Sequence, residues 1–349
     1  MLRIGLAGIG FMGWIHWLAY QKVKGVQVAA LCSRDEKKLA GDWRDIKGNF
    51  GPPGEQVDLA KVKKFRSLDE LLADPTIDAV DLCLPPSLHA DATVKALRAG
   101  KHVFVEKPMA LTTAECKKMV AAADKSGKQV FVGHVLPFLP EYAYALKLIK
   151  SGKYGQPIGG TFKRVISDPL WIKDFYDPQG AGGPLIDLHV HDAHFIRLVF
   201  GMPTAVASQG RLRGDVVEYC NSLFHFADKR VAVAATSGVL NQQGRGFTHG
   251  YEIHLEKATL HFEIGFYADG GVDNMPLKVL LPNGKVERPT LATEGDPMLV
   301  AFESEIKEVA TCIKKEQPSA LLGAELARDA IVLCHKQAEA VRKGTVVKV

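Results

Sequence analysis

The six residues Gly8-Ile9-Gly10-Phe11-Met12-Gly13 constrain this chain more than any other feature. They form a G-x-G-x-x-G motif placed directly after an apolar run, Leu2 to Ala7, that reads as a strand, and directly before residues 11 to 22, which read as a helix. In that context each glycine has a physical task. The first makes a turn too tight for a Cβ, the second lets the backbone approach a pyrophosphate, and the third lets helix and strand pack closely. The helix N-terminal N–H groups then face the anion. With a second strand over Val26 to Leu31, the pattern is β-α-β and predicts a dinucleotide site, with Phe11 and Met12 in the cradle.

The alternation continues. A short strand near Val62 to Phe65, a helix near 67 to 73, a strand over Ile77 to Leu84 and a helix over 87 to 99 follow, then strands His102 to Val105 and Gln129 to Val132 on either side of a helix over 112 to 126. Such alternation implies a parallel sheet covered on both faces. Residues 41 to 61, which include Gly51-Pro52-Pro53-Gly54, break the rhythm and read as a surface loop. Beyond residue 133 the pattern changes: helices near 138 to 151 and 185 to 199, several β-rich runs between 204 and 290, and helices over 297 to 315 and 320 to 343. The expected fold class is α/β, an N-terminal Rossmann doubly wound parallel sheet over residues 1–132. An α+β domain over 133–349 is expected to follow, with a large open, mostly antiparallel sheet and C-terminal helices packing back towards the first domain.

Composition sets the outer limits. The 349 residues, 47% hydrophobic and 24% charged, suffice for two cores. The net charge of +5 arises from 44 basic and 39 acidic residues scattered along the chain, without the basic run that tracks a phosphate backbone, so nucleic acid is not an expected partner. Six cysteines stand far apart with no C-x-x-C pair and read as reduced thiols. The apolar stretch Ile4 to Tyr20 carries glycines at Rossmann spacing rather than a cleavage site, and no run reaches transmembrane length. A cytoplasmic protein without membrane contact is expected.

Three further segments carry chemistry. At the end of the second strand, where an acidic residue would bind the ribose hydroxyls, stand Ser33 and Arg34, with Lys37 and Lys38 shortly after. This leans the cofactor, NAD(P), towards NADP, although Arg34 could instead stack on adenine and Asp35 stands close by. Lys107, in Glu106-Lys107-Pro108, falls at the carboxyl end of a parallel strand, where ligands bind in open α/β sheets; the Lys107-Pro108 bond is a candidate for cis. Asp187 and His191, four apart on a helix, share one face, and an imidazole beside a carboxylate suits a general base near neutral pH. His189, His191, His194 and Asp187 could also be read as a metal cluster, but no metal is expected, since hydride chemistry with NAD(P) needs none.

The chain resembles the Gfo/Idh/MocA oxidoreductases through Gly8 to Gly13, Leu84-Pro85-Pro86-Ser87-Leu88-His89, Glu106-Lys107-Pro108, Asp187 to His191 and the closing Gly344-Thr345-Val346-Val347, over nearly its whole length. The resemblance implies a catalytic Lys107 and an Asp187/His191 pair in which the histidine exchanges the proton of the reacting hydroxyl. It also implies nicotinamide-side contacts from Leu84, Pro85, His89, Glu106 and Pro108. The activity implied is hydride transfer between nicotinamide and a hydroxyl-bearing carbon of a sugar, polyol or sugar acid. Two other readings stay open: a non-redox elimination or glycoside cleavage with retained NAD(P), and a cofactor-binding regulatory protein. His189 stands where many relatives have glycine and Pro137, beside His134, where many have arginine, so the substrate stays open. His134, Trp171, Lys173 and His189 are candidate substrate contacts. Relatives pair through the open sheet, which implies a homodimer or homotetramer.

Overall fold

In the computed structural model, residues 1–172, 174–291 and 294–349 are described. The chain parts into two compact units, Met1–Pro140 with Thr293–Arg328, and Glu141–Ala292 with Asp329–Val349.

The first unit is built on six parallel strands: β1 (Leu2–Ala7), β2 (Val26–Cys32), β3 (Lys63–Phe65), β4 (Ala79–Leu82), β5 (His102–Glu106) and β6 (Val130–Gly133). Their order is β3-β2-β1-β4-β5-β6, so the chain reverses direction between β1 and β4, and the crevice at that switch point is where such sheets bind dinucleotides. Every residue of β4 and β6 is buried, as expected of strands covered on both faces. The helices are α1 (Phe11–Lys22), α2 (Glu36–Leu39), α3 (Leu68–Ala73), α4 (Pro86–Arg98) and α5 (Thr113–Ser126). Asp35, Ser67 and Thr112 cap α2, α3 and α5 with side-chain oxygens, Thr112 in a capping box with Glu115.

The segment expected to be a surface loop, 41 to 61, is not merely that. Trp43 is wholly buried, with Ile46, Val57 and Leu59 beside it in the core. Its ring meets Trp14 and Trp17 of α1 edge-on at 5.8 and 5.3 Å, a favoured aromatic geometry. Its indole N–H donates to the Lys38 carbonyl and that of Trp14 donates to the Pro52 carbonyl. Backbone that cannot form a helix or strand is thus fixed by apolar burial and indole hydrogen bonds.

The second unit holds α6 (Pro140–Ser151), β7 (Pro157–Ser167), α7 (Val190–Phe200), the strands β8 (Ala205–Arg213), β9 (Val216–His225), β10 (Ala232–Leu240), β11 (Arg245–Leu255), β12 (Ala258–Tyr267), β13 (Val272–Leu280) and β14 (Val286–Glu287), the greater part of α9 (Ala324–Lys343) and β15 (Val347–Lys348), while α8 (Pro297–Lys315) belongs to the first unit. The nine strands run β14-β13-β12-β11-β7-β10-β9-β8-β15. All pairings are antiparallel except β7 with β10. One side of this sheet carries the core: Tyr142 of α6 packs edge-on against Phe195 of α7 at 5.1 Å and Tyr251 of β11 at 4.9 Å.

The helix expected over 185–199 begins differently. Leu185–His189 form one π-helical turn that runs directly into α7. Gly182 and Gly183, both at φ +80°, lead into it, and a Cβ on Gly183 would come within 2.7 Å of Val216. π-turns of this kind concentrate at functional sites.

Candidate functional site

The glycine cradle meets each physical demand of its motif. Gly8 has φ +95°, and a Cβ there would lie 2.2 Å from the Cys83 carbonyl oxygen. A Cβ on Gly13 would lie 2.1 Å from the Gly8 carbonyl, so the close contact of strand and helix depends on it. Around Gly10 nothing lies within 4 Å, which leaves the approach to the backbone open. Unlike α2, α3 and α5, α1 has no side-chain cap and no acid in its first turn. Its leading N–H groups therefore stay available to an anion. Phe11 stacks edge-on with Phe50 at 4.9 Å, and Met12 is half-buried. These residues fit a dinucleotide pyrophosphate.

At the end of β2, the Ser33 hydroxyl accepts the Asp35 N–H. One Asp35 carboxylate oxygen accepts the N–H groups of Lys37 and Lys38 as the cap of α2. Arg34 is exposed. Lys38 reaches back and donates to the Ile9 carbonyl inside the glycine loop at 2.9 Å.

Lys107 sits half-buried at the end of β5, and the Lys107-Pro108 peptide is cis. Its neighbours face inwards. Glu106, 6% exposed, directs one carboxylate oxygen to His16 Nε2 at 2.9 Å, and the other accepts the Lys107 backbone N–H at 3.0 Å. His89, wholly buried on α4, lies between the carbonyls of Pro108 and Leu84 at 2.8 and 2.7 Å, so it ties the two loops together. Leu84 is half-buried and Pro85 exposed in the loop that His89 holds.

Beneath Lys107 lies a cluster that sequence reasoning missed. His16 of α1, wholly buried, also bonds Asp81 of β4 through Nδ1 at 2.8 Å, and its ring stacks on Phe104. Asp81 also accepts from the Tyr20 hydroxyl at 2.9 Å. Burial opposes charge on His16, yet Asp81, with Cys83, outweighs it and holds the imidazole well above its ordinary pKa. Burial, with Glu106 adding, holds the carboxyl of Glu305 on α8 well above the ordinary range. The signal available was a polar residue inside each of two apolar runs, Trp14-Ile15-His16-Trp17 and Val80-Asp81-Leu82.

In the second unit, Asp187 and His191 are half-exposed, whereas Leu185, Ile186, His189, Val190 and Asp192 to Ile196 are buried. A turn closed by i→i+5 bonds carries residue i+4 nearly back over residue i, so the two functional groups leave the same side of the segment. His189 and His134, the expected substrate contacts, are both at 0% exposure. His189 lies 3.8 Å from Asp192, whose carboxylate is held by Arg164 at 2.7 and 3.1 Å, and burial, with Arg164 opposing Asp192, lowers its pKa. His194 is likewise buried. Trp171 is 65% exposed, in a loop whose base is fixed where Asp168 accepts from Tyr176 and Arg213. Lys173 lies outside the described residues.

A parallel sheet in dinucleotide-binding order, an open glycine cradle and a lysine at a strand end define a nucleotide-binding oxidoreductase fold with a second, sheet-rich unit. Residues 2–134 match the model described as "Oxidoreductase family, NAD-binding Rossmann fold", and residues 142–261 match the GFO/IDH/MocA C-terminal domain. The chain belongs to the Gfo/Idh/MocA family. A 1,5-anhydro-D-fructose reductase of Ensifer adhaerens is 33% identical over 147 residues, 42% of this chain and 44% of that protein. The scyllo-inositol 2-dehydrogenase (NAD(+)) of Bacillus subtilis is 33% identical over 223 residues, 60% of this chain and 58% of that protein. The aligned stretches thus span about half the length of these relatives. The structure of an aldose-aldose oxidoreductase from Caulobacter crescentus superposes with a TM-score of 0.79 at 22% identity, covering 100% of this chain and 99% of that one.

Proposed function

We propose that this protein is an NAD(P)-dependent dehydrogenase acting on a CH–OH carbon of a sugar, polyol or sugar acid. The observation that carries the reading is the cradle over Gly8 to Gly13, open at Gly10 and followed by an uncapped α1. NAD(P), when bound, accepts or returns a hydride at nicotinamide C4. Lys107 positions and polarises the reacting oxygen, and His191, oriented by Asp187, takes the hydroxyl proton in the oxidation. Relatives named for an anhydrofructose and an inositol support the substrate class. Nicotinamide reduction measured by absorbance over a panel of inositols, sugars and sugar acids should find at least one substrate, and Lys107→Ala should lower its turnover by about 10²- to 10⁴-fold. Unaltered turnover in that variant would remove Lys107 from the mechanism, and a panel without turnover, with cofactor still bound and not exchanging, would favour the non-redox reading.

The cofactor leaning is NADP. The carboxylate nearest the end of β2, Asp35, is engaged as the cap of α2, while Arg34 is exposed. Arg34→Ala should lower kcat/KM with NADP and leave that with NAD nearly unchanged; equal losses with both would refute the preference. The open side of the nine-stranded sheet, where Thr161, Lys163, Thr236, Glu252, His261 and Glu263 line a groove of about 320 Å³, supports a homodimer or homotetramer formed through it. Sedimentation as a monomer at micromolar concentration would end that reading. All six cysteines are free thiols, which supports a cytoplasmic location. Among the described residues no helix is long and apolar enough to cross a membrane.

A further inference from the structure

The turn that carries Lys107 is anchored on both sides. On one side, the two oxygens of Glu106 are engaged, one by His16 Nε2 at 2.9 Å and one by the Lys107 N–H at 3.0 Å. Gly133 of β6 leaves room for this carboxylate, since a Cβ there would lie 3.1 Å from its Oε1. On the other side, His89 holds the Pro108 carbonyl at 2.8 Å. His16 is itself fixed: Asp81 takes its Nδ1 at 2.8 Å, Phe104 stacks on its ring with planes 7° apart, and the Tyr20 hydroxyl meets the same Asp81 oxygen. Burying a histidine between two carboxylates carries a desolvation cost that a well-packed apolar residue would avoid. What the arrangement supplies is orientation, and misplacing a reacting group by 1 Å can cost about 10²-fold in rate.

We propose that His16 is a positioning residue for Lys107: its Nε2 holds Glu106 in the orientation from which the second carboxylate oxygen fixes the Lys107 backbone, and His89 completes the clamp from the opposite side. This rests on Lys107 being catalytic. His16, 90 residues from Glu106, bonds through its ring to Glu106, Asp81 and Cys83, and among the described residues that ring makes no hydrogen bond to Gly8, Gly10 or Gly13.

Two substitutions divide the imidazole into its halves. An asparagine amide at position 16 reaches about as far as Nδ1, keeping the bond to Asp81 and losing Glu106. A glutamine amide reaches about as far as Nε2, keeping Glu106 and losing Asp81. In the full-length protein with its best substrate, His16→Asn should lower kcat by about 10- to 100-fold. His16→Gln should stay within about threefold of the unmodified protein. The dissociation constant for reduced cofactor, read by its fluorescence, should change by less than about threefold in both, because Gly8 to Gly13 is untouched. A purely structural role predicts instead that both variants lose turnover in step with their melting temperatures, and that result, or full turnover in His16→Asn, overturns the proposal.

A readout that needs no variant to fold is amide hydrogen exchange in the unmodified protein. The Lys107 N–H should be protected despite its place in a turn near the surface; rapid exchange overturns the clamp. A stoichiometric metal ion in the purified protein, held by the His16, Asp81 and Cys83 donor atoms that lie within 4.8 Å of one another, would displace the Nδ1 bond and overturn it too. Lys107→Ala, run in the same assay, separates the two claims: full turnover there defeats the catalytic reading, whereas loss there with full turnover in His16→Asn defeats only the positioning role.

Discussion

His16 in the first unit and His249 in the second are both almost fully buried, yet their surroundings shift their pKa values in opposite directions. His16 lies between Asp81 and Glu106, and although burial opposes it, Asp81 holds its pKa well above the ordinary value. His249 bonds the Tyr142 hydroxyl at 3.1 Å with the Arg164 guanidinium close by, and burial, with that cation adding, lowers it to about 3. Desolvation disfavours the charged imidazole in both places, so the sign of the nearest fixed charge decides the outcome. Burial alone says nothing about what a histidine does.

The comparison can be broken or sharpened in four ways. The largest effect should come from Arg164→Met, which strands the buried Asp192 carboxylate and should cost about 3–5 kcal/mol in urea denaturation. The double variant Arg164→Met/Asp192→Leu should recover most of it, and equal losses would show that the pair is not an energetic unit. His16→Leu should cost about 2–3 kcal/mol in the first unit, leaving two carboxylates without their cation. Its unfolding is read by tryptophan fluorescence, since Trp14, Trp17 and Trp43 all lie in that unit.

Acidification comes next. His249 is lowered from 6.5 to about 3, so the unfolded chain binds its proton first. Its contribution, present above pH 6.5, is lost as pH falls towards 3, at up to about 1.4 kcal/mol per pH unit. His16 runs the other way: raised above 6.5, its contribution is complete below that value and is lost as pH rises through the folded pKa. A His249→Phe variant whose acid sensitivity matches that of the unmodified protein would contradict the assignment. The smallest effect on stability is expected for Gly10→Ala. With nothing within 4 Å and an ordinary φ of −106°, it should shift unfolding by less than about 1 kcal/mol while weakening cofactor binding, and a large loss of stability would mean that the position serves folding.

Much of the first unit was legible because its signals are local. Gly8 to Gly13 and the strand-helix alternation each act within a few residues. The strand-rich character of the second unit was equally legible, but the π turn at Leu185–His189 was not, since α and π turns draw on the same apolar pattern. The side-chain surroundings that sequence did not reveal share one cause. Periodicity tells which face of an element is apolar, not which polar residue on that face has found a distant partner. His16 meets partners 65 and 90 residues away, and the inward turn of Glu106 follows from that meeting. The burial of His134 and His189 was hidden for the same reason: a histidine near a catalytic motif looks alike in sequence whether it is solvated or in the core. Trp43 was hidden by the glycines and prolines around it, which mark irregular backbone and carry no information about depth.

The borders of the nine-stranded sheet bear on how the protein stays dispersed. An unpaired strand is a template for further strands, and a sheet this broad presents two. Here each border ends in a two-residue strand, β14 on one side and β15 on the other. Beyond their reach, β13 carries Asp273 and Pro276, and β8 carries Arg211 and Arg213. A proline offers no N–H, and charged side chains along a border disfavour the docking of another strand. Removing Val347 and Lys348 would uncover Ala205 and Val206, the apolar start of β8, and the shortened protein should form thioflavin-binding aggregates on warming sooner than the full chain does.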